Sequence, residues 1–128
     1  MKREVKNWLD SATYDLTTAE SMFQTGRYIY TIFMCQLAIE KTFKAKIEEI
    51  TGVIPPRSHN LRYLCELAGL KPPQQIFEFI SKLNEVSIAA RYPEDFDQLY
   101  KSYDKKKAGD YLLKAKEAFE WIKQSLAN

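Results

Sequence analysis

Apolar residues return along this chain at three- and four-residue intervals, in four long stretches punctuated by glycine and proline, the period of a helix that buries one face. In the first stretch Val5, Leu9, Ala12, Leu16, Ala19 and Phe23 share a face, widened by Trp8 and Met22. This predicts a helix over about Glu4 to Thr25, ended by Gly26. The second, about Tyr28 to Thr51, carries Ile29, Ile32, Phe33, Leu37, Phe43 and Ile47, with Tyr28, Cys35 and Ile39 extending the stripe. A face that wide needs more than one neighbour. After Gly52 a loop, Val53–His59, is stiffened by Pro55 and Pro56, and a short helix of about Asn60 to Ala68 carries Leu61, Leu64, Cys65 and Ala68. The fourth helix starts near Pro73, a residue suited to a first turn. Its stripe is Ile76, Phe79, Ile80, Leu83 and Ala90, and Pro93 cuts it off. A loop of roughly ten residues leads to a last helix, about Lys105 to Ala127, whose buried face is Tyr111, Ala115, Ala118 and Ile122, with Phe119 and Leu126 at the edge. No stretch alternates as a strand would. The expected fold is all-α: an antiparallel up-and-down four-helix bundle with one additional short helix, forming a single domain over residues 1–128.

Composition adds bounds. At 128 residues, 45% hydrophobic and 13% aromatic, the chain can fill a core without staples. A net charge of +2 is too small to argue nucleic-acid binding by itself. Cys35 and Cys65 sit among apolar residues with no CxxC or Cys/His cluster, so they read as reduced core thiols, with no metal site and no cofactor. The beginning MKREVKNW lacks the apolar core of a secretion signal. The most apolar segment, Tyr28–Ile39, is broken by Thr31 and Gln36 and falls short of the ~20 residues of a membrane span. The expected location is the cytoplasm, away from membranes.

Polar residues inside the apolar stripes change the picture more. At 100° per residue, Gln36 and Glu40 fall between Ile29, Phe33, Phe43 and Ile47, and Asp15 falls between Trp8 and Met22. A buried carboxylate must find a partner. Arg91, preceded by Asn84 and Ser87 at i−7 and i−4, offers a planar fork that can hold one. Such a network either fixes helix register or lines a polar pocket between helices. His59, the one histidine, stands in RSHNL ahead of the short helix. It can cap that helix or anchor its loop or, with Arg57, contact a phosphate, but alone it makes no metal site. Asp104 reads as a helix cap followed by Lys105, Lys106 and Lys107, three cations opposed to the helix dipole. They are solvated lysines or a contact for an anion. There is no GxGxxG, P-loop, HExxH or GxSxG, nor the Gly-Ser and paired-Asp constellation of a nucleotidyltransferase.

Several segments together carry a resemblance. They are Ala12, Asp15-Leu16, Ala19, Gly26 and Tyr28; then Gln36-Leu37-Ala38-Ile39-Glu40-Lys41 and Lys44; then Ser58-His59-Asn60-Leu61 and Leu64; then Leu83-Asn84 and Ala90-Arg91-Tyr92-Pro93; and finally Ala108 and Ala115. In order and spacing the chain resembles the HEPN domain family, in its compact prokaryotic group. The resemblance implies a helical bundle paired as a homodimer, similar to the helical domain of kanamycin nucleotidyltransferase. It also implies work beside a separate minimal nucleotidyltransferase in a toxin–antitoxin-like pair. Many relatives are metal-independent RNases with an Arg followed four to six residues later by a His. Arg91 matches that Arg, but Phe96, Asp97 and Gln98 stand where the His is due, so no base for a ribose 2′-hydroxyl is evident. The expected function is a non-catalytic dimeric module that binds nucleotide or RNA. Its polar pocket is expected to consist of Arg91, Asn84, Glu40, Lys44, His59 and Tyr92, with Arg91 holding phosphate or Glu40 and Tyr92 stacking or packing. The alternatives are a metal-independent endoribonuclease using Arg91 and a purely structural helical dimer.

Overall fold

The computed structural model describes residues 1–92, 94 and 96–127. Six helices follow in order: α1 Arg3–Gln24, α2 Tyr28–Thr51, α3 Leu61–Leu67, α4 Gln74–Arg91, α5 Phe96–Ser102 and α6 Lys105–Gln124. No strand occurs among the described residues. The four long helices fall close to the bounds that the apolar period and the glycines predict. Gly52 ends α2 in the left-handed region at φ 73, donating to the Glu48 carbonyl at 2.8 Å, a conformation that costs glycine no Cβ clash. Pro93, expected to cut off the fourth helix, and the side chains of Ser87 and Ala90 lie outside the described residues.

Side-chain contacts fix the direction of each helix. Trp8 near the start of α1 reaches Glu48 near the end of α2, and Phe23 meets Tyr28 at the opposite end, so α1 and α2 are antiparallel. Arg91 at the end of α4 lies over Phe33 near the start of α2. Lys116 in α6 pairs with Glu20 in α1, and Leu126, just past α6, packs with Val5 of α1. The chain therefore runs up, down, up and down through α1, α2, α4 and α6. The wide stripe of α2 places it at the centre. Ile32, Ile39 and Phe43 of α2 are fully buried with Leu61 and Leu64 of α3, Ile80 and Leu83 of α4 and Ile122 of α6. Truncating Phe43 to alanine is expected to lower stability by about 3–5 kcal/mol in urea unfolding, because the crowded site cannot collapse around the void.

One expectation needs correcting. The span read as a plain loop before the last helix holds α5. It was hidden because no α5 residue is buried, so no apolar stripe marks it. Local pairs hold it instead: Lys101 with Asp97 at 2.9 Å, and the stacked rings of Phe96 and Tyr100 at 6.3 Å.

Burial also sets the chemistry of the two thiols. Desolvation pushes Cys35 up to about 12 against a partial opposing pull from Lys116, and raises Cys65 as well. The folded thiol holds its proton where an unfolded cysteine, at 9.0, has lost it. The resulting contribution is intact below pH 9 and is lost as pH rises toward 12. The urea midpoint is expected to be flat from about pH 7 to 9 and to fall between about 9 and 11. Replacing Cys35 with alanine should flatten that alkaline decline.

Candidate functional site

Gln36, Glu40 and Lys44 occupy successive i, i+4 positions of α2 and are 0%, 4% and 6% exposed. Lys44 Nζ lies 3.0 Å from Glu40 Oε2. His59 Nδ1 lies 2.9 Å from Glu40 Oε1, which also accepts from Gln36 Nε2 at 3.2 Å. The same Gln36 nitrogen donates to the His59 carbonyl at 3.1 Å. An ionised carboxylate only accepts, so His59 Nδ1 carries the hydrogen and Nε2 is left for other partners. The His59 side chain is 52% exposed. The Glu40 charge is thus neutralised and hydrogen-bonded on the protein side, while the ring that closes the cluster faces water.

The segment after His59 is pinned from two more directions. Asn60 caps α3, its Oδ1 accepting from Arg62 N and Tyr63 N at 3.1 and 3.2 Å. Leu61 N donates to Asn84 Oδ1 of α4 at 2.9 Å. Residues 59–61 therefore tie α2 to α4 through buried polar groups. On the other flank Lys44 sits 5.6 Å above the Trp8 ring, and Trp8 Nε1 donates to Glu48 Oε1 at 3.0 Å.

Four of the six expected pocket residues, Glu40, Lys44, His59 and Asn84, meet in this network. Arg91 does not join it. Its guanidinium stands 5.8 Å from the Phe33 ring centre, and its buried Nε has no hydrogen-bond partner. The expected Glu40–Arg91 pair is replaced by Glu40–Lys44 and Glu40–His59. Distance explains the change: Phe33 lies seven residues before Glu40 on α2, roughly 10 Å along the helix axis. Tyr92, expected to stack or pack, is 75% exposed. Asp15 also finds a lysine, Lys41, whose Nζ lies 2.8 Å from Asp15 Oδ2 and 2.8 Å from Ser11 Oγ. The i, i+4 spacing of Gln36, Glu40 and Lys44 was the signal that identifies the true partner, since neighbours on one helix need no tertiary coincidence to meet. His59 is not the α3 cap; Asn60 is. Asp104 is the α6 cap as expected, its Oδ1 accepting from Lys107 N at 2.9 Å.

A feature the sequence reading missed adjoins the network. Between α3 and the start of α4 runs a groove of about 630 Å³ lined by Asn60 and Asn84 and by Arg62, Tyr63 and Phe77 among others. Its aromatic and cationic members come from the polar faces of two amphipathic helices, where sequence pattern predicts only solvent. Among the described residues no cluster of His, Cys, Asp and Glu could hold a metal ion, and no helix is long and apolar enough to cross a membrane.

The family model for the HEPN domain matches residues 5–125. A solved archaeal HEPN homologue is 27% identical, with 98% of each chain covered and a TM-score of 0.76. A solved protein from Thermus thermophilus is 22% identical, covers 98% of this chain and 100% of its own, and has a TM-score of 0.81. No curated protein matches the chain.

Proposed function

The chain belongs to the HEPN domain family, and on that premise we propose that it is a dimeric, non-catalytic module that binds nucleotide or RNA in the cytoplasm beside a separate minimal nucleotidyltransferase, in a toxin–antitoxin-like pair. The observation that carries this reading is that the polar network is open on one side. A purely structural register lock would be closed. Here the His59 ring is half in water and the α3–α4 groove is lined by Asn60 and Asn84, which belong to the same network. Glu40 and Lys44 neutralise each other, so their part is to position residues 59–61. The ligand-facing roles pass to His59, Asn84, Arg91 and Tyr92.

Binding is favoured over cleavage by the position of the one histidine. RNA cutting without metal needs a base near the 2′-hydroxyl. His59 stands against Glu40 on the loop before α3, away from Arg91, and Phe96, Asp97 and Gln98 follow Arg91 where the family RNases carry their histidine. Arg91 supports an anion contact, because its Nε is unpartnered at the end of α4 and a guanidinium matches phosphate geometry.

Fluorescence anisotropy with a labelled short single-stranded RNA tests the binding. Arg91→Ala is expected to weaken it about tenfold and to lower the salt slope by about one, as the loss of one phosphate contact would. Full affinity in a folded Arg91→Ala protein removes Arg91 from the site. Incubation of the same RNA in EDTA is expected to leave it intact. Cutting that Arg91→Ala abolishes would instead establish the endoribonuclease reading.

A further inference from the structure

The groove between α3 and the start of α4 carries more than apolar surface. After α3 the chain turns back at Gly69, φ 67, with Gly69 N donating to Glu66 O and Leu70 N to Cys65 O. This turn frames one wall. Tyr63 and Phe77 both line the groove and are 45% and 39% exposed. Arg62 lies over the Phe77 ring at 5.8 Å, and Lys71 stands on the same rim. Two cations thus face one carboxylate, Glu66, and no ion pair joins any of the three among the described residues. Asn84 also lines the groove, and its Oδ1 receives Leu61 N.

Resting on the nucleotide- or RNA-binding reading above, we infer that this groove is a nucleobase-stacking site that takes a base together with its attached phosphate. An apolar peptide would use the rings but would leave Arg62 and Lys71 to be desolvated without partners. An acidic peptide would use the cations but not the aromatic faces. A base with its phosphate uses both: rings accept any base by its π-face, and guanidinium and ammonium groups pair with phosphate. The Arg62 guanidinium, already placed over Phe77, extends the flat surface and carries charge to its rim. A volume of about 630 Å³ falls within the range of small-molecule sites, about 300–1,000 Å³. The Asn84 amide supplies a donor for a base edge.

The test uses the full chain and a short oligoribonucleotide carrying one 2-aminopurine, whose fluorescence falls on stacking, alongside the same strand with an abasic position. Wild-type protein should quench the 2-aminopurine. Phe77→Ala and Tyr63→Ala should each lose the quenching and bind the base-bearing strand about tenfold more weakly, with affinity for the abasic strand unchanged. Phe77→Trp should restore both. Both side chains are partly exposed, so each variant should keep its helicity, and either alone suffices if the other misfolds. Competition with adenosine monophosphate separates the sources: displacement assigns the site to free nucleotides, and displacement only by unlabelled RNA assigns it to a strand. If wild-type protein binds neither, the functional reading falls with the groove. If it binds and both alanine variants keep full affinity and quenching, the groove assignment alone falls.

Discussion

Replacing Glu40 with alanine is expected to destabilise the fold by about 3–5 kcal/mol, a large part of what a domain of this size possesses. The reason is the charge left behind. Lys44 is 6% exposed and its ammonium has Glu40 Oε2 at 3.0 Å as its carboxylate partner. The Trp8 face 5.6 Å away is the other attraction, and a cation–π contact offsets only a fraction of the desolvation of an ammonium. The converse change should be milder. Lys44→Met leaves the Glu40 carboxylate with hydrogen bonds from His59 and Gln36, so its charge stays solvated by the protein. The double variant Glu40→Gln, Lys44→Met should recover much of the loss, since exchanging a buried pair for uncharged groups of similar shape is often close to neutral. Urea unfolding of Glu40→Gln, Lys44→Met and their combination closes the cycle and supplies the coupling. A Glu40→Ala protein within about 1 kcal/mol of wild type would mean that Lys44 swings to water and that the network does not hold α2 to residues 59–61.

How far the sequence exposes this arrangement depends on which force places each residue. The long helices and the core are legible because burial repeats at the helix period: Val5 to Phe23, Ile32, Cys35, Ile39, Phe43 and Ile47, and Tyr111 to Ile122 pack on the faces that their spacing predicts, while Ile29, Phe33 and Leu37 of the same α2 stripe are only half-buried. The site is half legible. Polar residues inside an apolar stripe point to Gln36, Glu40 and Asp15, since such positions are otherwise too costly to persist. The partners are another matter. Lysine at i+4 is written in the chain and was there to be read, whereas the approach of His59 to Glu40 depends on how the Pro55-Pro56 loop folds back, which no periodicity encodes. Arg91 illustrates the converse. Its residue type suits a carboxylate, yet the length of α4 carries it past Glu40 to Phe33. Exposed features are the least legible. The α5 helix and the α3–α4 groove are built from residues whose exposure makes them look like ordinary surface, so neither hydrophobic pattern nor capping signals marks them.

Introducing aspartate at Ile88 and Tyr92 together is expected to convert the proposed dimer to a folded monomer. Ile88, Tyr92, Phe96 and Tyr100 recur every four residues from the end of α4 into α5 and are 59%, 75%, 55% and 59% exposed. Four large apolar side chains exposed so near one another in sequence, Phe96 and Tyr100 already in ring contact, are what the proposed dimer would bury across a two-fold axis. The rings of Phe96 and Tyr100 are already stacked at 6.3 Å, so little side-chain freedom is lost on association. Two unpaired carboxylates per copy, desolvated at the centre of such a surface, should weaken pairing by at least about a hundredfold. Since neither side chain is buried within the chain, helicity should hold, while the urea midpoint should lose the dependence on protein concentration that association confers. Sedimentation velocity at micromolar protein should show wild type as a dimer and the variant as a monomer. Wild type sedimenting as a monomer at high concentration would sink the dimer, and a variant that stays dimeric would move the interface elsewhere. The same variant divides the two binding roles. Arg91 stands between Ile88 and Tyr92 in the sequence, so any phosphate contact that needs both copies of the proposed dimer should disappear with it. The α3–α4 groove is built within one chain and should keep its base.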